Sequence, residues 1–200
     1  MTPNVFDAPQ LDLLGGQAEP AQTHRLFFAL LPDEASRAQF AQVAATLKAD
    51  QPGLRPRWVT PARYHVTVHF LGDHPMLRED IVQAVARAGD ALRAEAFDWT
   101  LDYVASFHGR EPPCVLRSTE VPEPLQKLWQ DLREGLIRAG QGAHLSRAFT
   151  PHVTLGYSRG GLLPSTPVGP LHWRVQQLAL IHSVVGRGDH VQLRQWQLSG

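Results

Sequence analysis

Tyr64-His65-Val66-Thr67-Val68-His69-Phe70-Leu71-Gly72 and Phe149-Thr150-Pro151-His152-Val153-Thr154-Leu155-Gly156-Tyr157 repeat one pattern of histidine, apolar residue, threonine, apolar residue inside runs that read as β-strands. A strand turns successive side chains to opposite faces. His65 and Thr67 therefore share one face and Val66, Val68 and Phe70 the other, while His152 and Thr154 are set against Val153 and Leu155 in the same way. Two such strands, side by side or facing each other across a groove, bring two imidazoles and two hydroxyls to one small volume: an acid, a base and two hydrogen-bond donors around an anion. A lone strand histidine is more often structural than catalytic, since the residue serves as switch, ligand and acid–base alike. The second copy at the same offset favours the chemical reading. Zinc fits poorly, because a structural site takes four ligands, often thiolates, and Cys114 is the only cysteine. A two-histidine metal site completed by a carboxylate has no second motif behind it.

Outward from these strands the chain alternates β and α signals. Residues 1–23 carry Pro, Gly, Gln and Asp with little periodicity and read as a flexible or loosely docked tail. His24 to Leu31 is a short buried strand ending at Pro32, and Asp33 caps a helix carrying Ala35, Phe40, Val43, Ala44 and Leu47 at helical spacing before Pro52-Gly53 ends it. Trp58-Val59 and Tyr64 to Leu71 are strands. Asp73-His74-Pro75 is the turn into a second helix marked by Ile81, Val82, Val85, Ala88 and Leu92. Phe97 to Phe107 and Cys114 to Leu116 alternate as strands, and Leu125, Leu128, Trp129, Leu132 and Leu136 form an amphipathic helix that Gly140 stops. After the second motif strand, Gly160 to Pro170 is a loop by composition. Trp173 to Val184 and His190 to Leu198 close the chain as a hairpin around Gly186-Arg187-Gly188.

The order is thus β-α-β-β-α-β-β-α-β-β-β, and the two histidines lie about half the ordered chain apart. This predicts an α+β protein: two pseudo-symmetric lobes of antiparallel sheet over residues 24–200, helices outside, around a central cleft. At 200 residues it suits one domain or two small lobes sharing a core. With 19 basic and 19 acidic residues the net charge is zero, so no broad basic surface exists to hold long nucleic acid through many phosphates. Any nucleic acid is held locally, by one end. No apolar run approaches the roughly 20 residues of a membrane span. The N-terminal stretch lacks the basic region and apolar core of a signal peptide, and a single cysteine excludes an intrachain disulfide. The expectation is a cytoplasmic protein.

The runs Arg25 to Leu30, Trp58-Val59, Tyr64 to Gly72 and Phe149 to Leu155, with Leu178 to Ser183 and Trp196 to Leu198, resemble the two-histidine phosphoesterases. Within them the likeness is to the bacterial RNA 2′,3′-cyclic phosphodiesterases, the 2′–5′ RNA ligase or LigT-like family. The resemblance implies hydrolysis of an RNA-terminal 2′,3′-cyclic phosphate to a 2′-phosphate with no metal or cofactor, by a monomer whose partners are RNA ends or cyclic nucleotides and which needs neither membrane nor protein partner. It also implies His152 as base and His65 as acid, although the residues alone permit the reverse. Thr67 and Thr154 are then phosphate donors. Arg147 is the candidate guanidinium for the phosphate. Tyr157 and Phe107 are candidates for stacking on a base, and His69, sharing the parity of His65 and Thr67, is a candidate for the outer cleft. The chain departs from the family pattern at His69 and over His108 to Pro113. Two other readings stay open: ligation of a cyclic phosphate to a 5′-hydroxyl at the same site, and a non-catalytic module that captures RNA ends or nucleotides.

Overall fold

Asp33 accepts a hydrogen bond from the Ser36 backbone N–H at 2.7 Å and caps α1, Glu34–Asp50, which buries Phe40, Ala44 and Leu47 on one face. The computed structural model describes residues 22–188 and 190–200. The expected tail of residues 1–23 thus lies almost wholly outside the described residues. Before α1 runs β1, His24–Leu30; after it come β2, Arg57–Trp58, β3, Val66–His74, α2, Glu79–Ala91, β4, Phe97–Ser106, and β5, Pro113–Arg117. Then follow α3, Glu123–Arg138, β6, Val153–Tyr157, β7, Thr166–Val175, β8, Gln177–Val184, and β9, His190–Gln197.

The strands form two antiparallel sheets, one of four strands in the order β3-β1-β8-β9 and one of five in the order β2-β6-β5-β4-β7. With three helices this is the expected α+β, two-lobed architecture. The helices exchange lobes: α1 follows β1 but packs on β6 and β7 of the other sheet, while α3 follows β5 but packs on β3 and against α2. One continuous core results. Leu125, Leu128, Leu132 and Leu136 of α3 are fully buried in it with Leu26, Phe28, Val66 and Leu71 of the four-stranded sheet, each such side chain contributing roughly 1.5–3 kcal/mol. Phe40, Trp99 and Trp173 close it on the other side, the two indoles stacked at 5.7 Å. The opposite face of the four-stranded sheet carries a small separate cluster, Phe27, Ala29, Ala179 and Ile181.

Two sequence expectations give way. The loop predicted over Gly160 to Pro170 becomes strand from Thr166 onward, with Pro167 opposite Tyr103 and Thr166 opposite Val104. β7 is an edge strand, where a missing proline N–H leaves no ladder bond unmade. The single strand predicted from Trp173 to Val184 breaks at Gln176, and the chain crosses from the five-stranded to the four-stranded sheet there. The sequence records that break as a slip of phase: Trp173 and Val175 are buried, then Leu178 and Leu180. The closing hairpin is where the glycines place it, with Gly186 and Gly188 at φ +88° and +80°.

Candidate active site

The two histidine motifs stand at the starts of β3 and β6, one in each sheet, and meet across a cleft of about 530 Å³. His65, Thr67, His152 and Thr154 all line it, together with Tyr157. Both imidazoles are anchored identically. His65 Nδ1 lies 2.7 Å from the Arg63 carbonyl oxygen and His152 Nδ1 lies 2.8 Å from that of Thr150, in each case two residues upstream. A carbonyl only accepts, so Nδ1 carries the proton in both rings and Nε2 is the nitrogen left for chemistry. At His65 that nitrogen accepts from the Thr67 hydroxyl at 3.2 Å.

Burial in the cleft lowers the pKa of both histidines below the ordinary 6.5. At His65 the positive charge of His152 and Arg63 adds to the effect and the Arg63 carbonyl opposes it. At His152 the Thr150 carbonyl opposes and the Arg117 charge adds. Each imidazole is also braced by an aromatic ring: Phe27, from the small cluster under the cleft, 5.1 Å from His65, and Phe107 edge-on 4.9 Å from His152. Phe107, a candidate for stacking on a base, is thus packed against His152 and against the guanidinium of Arg117, 5.5 Å away.

Two candidates lie elsewhere. His69 is buried away from the cleft, its Nε2–H donating to the Trp129 carbonyl at 2.9 Å and its ring stacked on the indole. The cause is a β-bulge: Ala29 pairs with Thr67 but Phe28 with His69, so the register slips at Val68 and the alternation inverts beyond it. His69 turns to the core, which pushes its pKa down to about 4 by desolvation. Phe70, expected behind the strand, turns into the cleft. Arg147 is exposed on the segment before β6 and is not among the lining residues; the guanidiniums there belong to Arg25, Arg57 and Arg63.

A third cleft histidine was not read from the sequence. His190 packs edge-on against His65 at 5.2 Å and Phe27 at 5.5 Å, and its Nε2 accepts from Arg63 Nη2 at 3.1 Å. Burial, with the charges of His65 and Arg63, lowers its pKa to about 4. Arg63 therefore orients one cleft histidine through its carbonyl and holds a second through its side chain. Nothing local marks His190, which arrives through the sheet order. Arg25 was not read as a site residue either; it faces Asp73 in the β1–β3 pairing, and the two are joined at 2.8 Å. Among the described residues, no carboxylate lines the cleft. Its chemistry is that of an anion site holding two orientated imidazoles. Among the described residues no three His, Cys, Asp or Glu side chains meet as metal donors, and no helix is long and apolar enough to cross a membrane.

A family model described as the 2′-5′ RNA ligase superfamily matches residues 31–187. Among solved structures the chain is similar to E. coli LigT in its apo form, at 27% identity and TM-score 0.74 over 90% of this chain and 99% of that one. It is likewise similar to E. coli LigT complexed with 3′-AMP, at 26% identity and TM-score 0.74 over 89% and 99%. A crystal structure described as a phosphoesterase matches at 25% identity and TM-score 0.75 over 88% and 99%. No curated protein matches the chain.

Proposed function

This chain belongs to the 2′-5′ RNA ligase superfamily, and on that premise we propose that it hydrolyses the 2′,3′-cyclic phosphate at an RNA end to a 2′-phosphate, with His65 and His152 as a metal-independent acid–base pair. The observation that carries the reading is the matched anchoring of the two imidazoles. Each has its Nδ1–H clamped by the carbonyl two residues upstream, so both offer Nε2 in one cleft.

Hydrolysis of the cyclic ester needs a proton removed from water, a proton given to the departing ribose 3′-oxygen, and donors for the non-bridging oxygens. By the family likeness His152 Nε2 takes the water proton as the new P–O bond forms, and protonated His65 gives its Nε2 proton to the 3′-oxygen as the P–O3′ bond breaks. Each role is typically worth about 10²- to 10⁴-fold in rate. Thr67 and Thr154 donate to the non-bridging oxygens from fixed positions, and the guanidiniums of Arg25, Arg57 and Arg63 supply the positive field that draws the phosphate in. The anion in turn favours the protonated form of one histidine, offsetting the burial that lowers both. The test is product identity: 2′,3′-cyclic AMP followed by ³¹P NMR in the presence of EDTA yields 2′-AMP. Formation of 3′-AMP, or turnover only on addition of a divalent metal, overturns the proposal.

A further inference from the structure

The two imidazoles have matching anchors, but the anchors themselves are held in different ways. The Arg63 carbonyl that takes the His65 Nδ1–H belongs to a 3₁₀ turn over Pro61–Arg63, closed by the Arg63 N–H on the Thr60 carbonyl at 2.9 Å and the Tyr64 N–H on that of Pro61 at 3.1 Å. Backbone hydrogen bonds therefore fix it. The Thr150 carbonyl that takes the His152 Nδ1–H lies on an irregular stretch ahead of β6, whose ladder with β5 begins only at Val153, opposite Leu116. That stretch must be held from outside the sheet.

Two side chains one turn apart on α3 hold it. The Trp129 indole stacks on Phe149, the residue before Thr150, with ring centres 5.5 Å apart and planes 3° from parallel, and Arg133 Nε–H donates to the Ser146 carbonyl at 3.4 Å. The same indole stacks on His69 at 5.5 Å, and the Trp129 carbonyl accepts the His69 Nε2–H at 2.9 Å. His69 belongs to β3, four residues beyond His65. Contacts through Trp129 thus run from the strand of one histidine to the anchor of the other, although β3 and β6 belong to different sheets. Filling space does not account for the rings. His69 Nδ1 and Trp129 Nε1 are buried without hydrogen-bond partners, an uncompensated desolvation that aliphatic side chains would avoid. Stacked rings supply what aliphatic chains lack, a defined separation and tilt.

We propose that Trp129 is a positioning residue for the reaction: through Phe149 it sets the Thr150 carbonyl, and with it the tilt of His152, against the strand that carries His65. The inference rests on the reading of the two histidines as an acid–base pair. The two imidazoles must meet one phosphorus from separate sheets, and a misplacement of about 1 Å costs on the order of 10²-fold in rate. The cleft arginines that draw the phosphate in make no contact with the stack, so the loss falls on kcat and leaves KM in place.

The test compares Trp129→Leu, which keeps apolar bulk, with Trp129→Phe, which keeps a stacking ring. With 2′,3′-cyclic AMP, Trp129→Leu loses at least about tenfold in kcat with KM within about twofold of wild type, and Trp129→Phe recovers most of that loss. A second readout needs no turnover. In ¹H–¹⁵N correlation spectra the His152 Nδ1–H of Trp129→Leu exchanges with water faster than in wild type, whereas the His65 Nδ1–H, anchored on the turn, keeps its rate. Should Trp129→Leu fail to fold by circular dichroism, Phe149→Leu against Phe149→Tyr makes the same comparison from the other ring of the stack. Wild-type kcat in the folded leucine variant, a Trp129→Phe that loses as much as Trp129→Leu, or exchange that changes equally at both histidines overturns the proposal. Wild-type protein that leaves cyclic AMP intact discards the hydrolysis alone, and the exchange of the His152 proton then decides whether Trp129 positions that ring.

Discussion

Replacing His69 with glutamine should flatten the acid side of the protein's stability curve. The bulge buries His69 with its Nε2–H on the Trp129 carbonyl and leaves Nδ1 buried without a partner, so protonation there adds both a charge and an unmet donor. Its pKa is about 4 in the folded protein against an ordinary 6.5. The folded state thus binds this proton more weakly than the unfolded chain does. The stability tied to the neutral ring is fully present above pH 6.5 and drains away as the pH falls through 6.5 towards 4. Between pH 7 and pH 5 the loss from this one group is about 2 kcal/mol, at 1.36 kcal/mol per pH unit of difference. Glutamine keeps an N–H for the Trp129 carbonyl and cannot titrate. His190, with a similarly lowered pKa, is present in both proteins and cancels in the comparison. Urea melts of wild type and His69→Gln at the two pH values measure the difference directly. Wild type should lose about 2 kcal/mol more than the variant on acidification. Parallel losses would mean that His69 is solvated in the cleft, as simple alternation along the strand implies, and would refute the bulge.

Both catalytic candidates have pKa values below 6.5 in the free protein, so kcat/KM for a 2′,3′-cyclic nucleotide should be bell-shaped with its maximum below pH 6.5; a maximum above pH 7 contradicts this. Thr67→Val and Thr154→Val should each lower kcat by about 10²- to 10³-fold, the typical loss of one preorganised donor, while circular-dichroism melts stay near wild type; unchanged kcat in either removes that hydroxyl from the phosphate site. Gly89→Ala places a methyl 2.4 Å from Trp196 Cζ2, so overpacking of about 1–3 kcal/mol should outweigh the about 1 kcal/mol by which alanine favours the helix and leave a net loss of up to about 2 kcal/mol; a higher Tm would refute the close packing of α2 against that indole.

The period-two pattern sufficed for the residues nearest the chemistry, because His65, Thr67, His152 and Thr154 stand at the starts of their strands, ahead of any irregularity. It failed three residues further on, where one bulge exchanged the roles of His69 and Phe70. A bulge is a property of the pairing with β1, and nothing in Val66 to Phe70 announces it. The guanidiniums of Arg25, Arg57 and Arg63 and the imidazole of His190 come from other segments, so they join the site only once the sheet orders are known. Arg147 shows the converse. Closeness in sequence to His152 does not bring it to the cleft, since the segment before β6 turns it to solvent.

The central claim is that two anchored imidazoles share one reaction, and turnover of a 2′,3′-cyclic phosphate by His65→Ala and His152→Ala tests it most directly. The account predicts that each variant folds as wild type and loses at least about 10²-fold in kcat, and that the double variant loses less than the product of the two, as groups acting as a unit do. Near wild-type turnover in either single variant would contradict it.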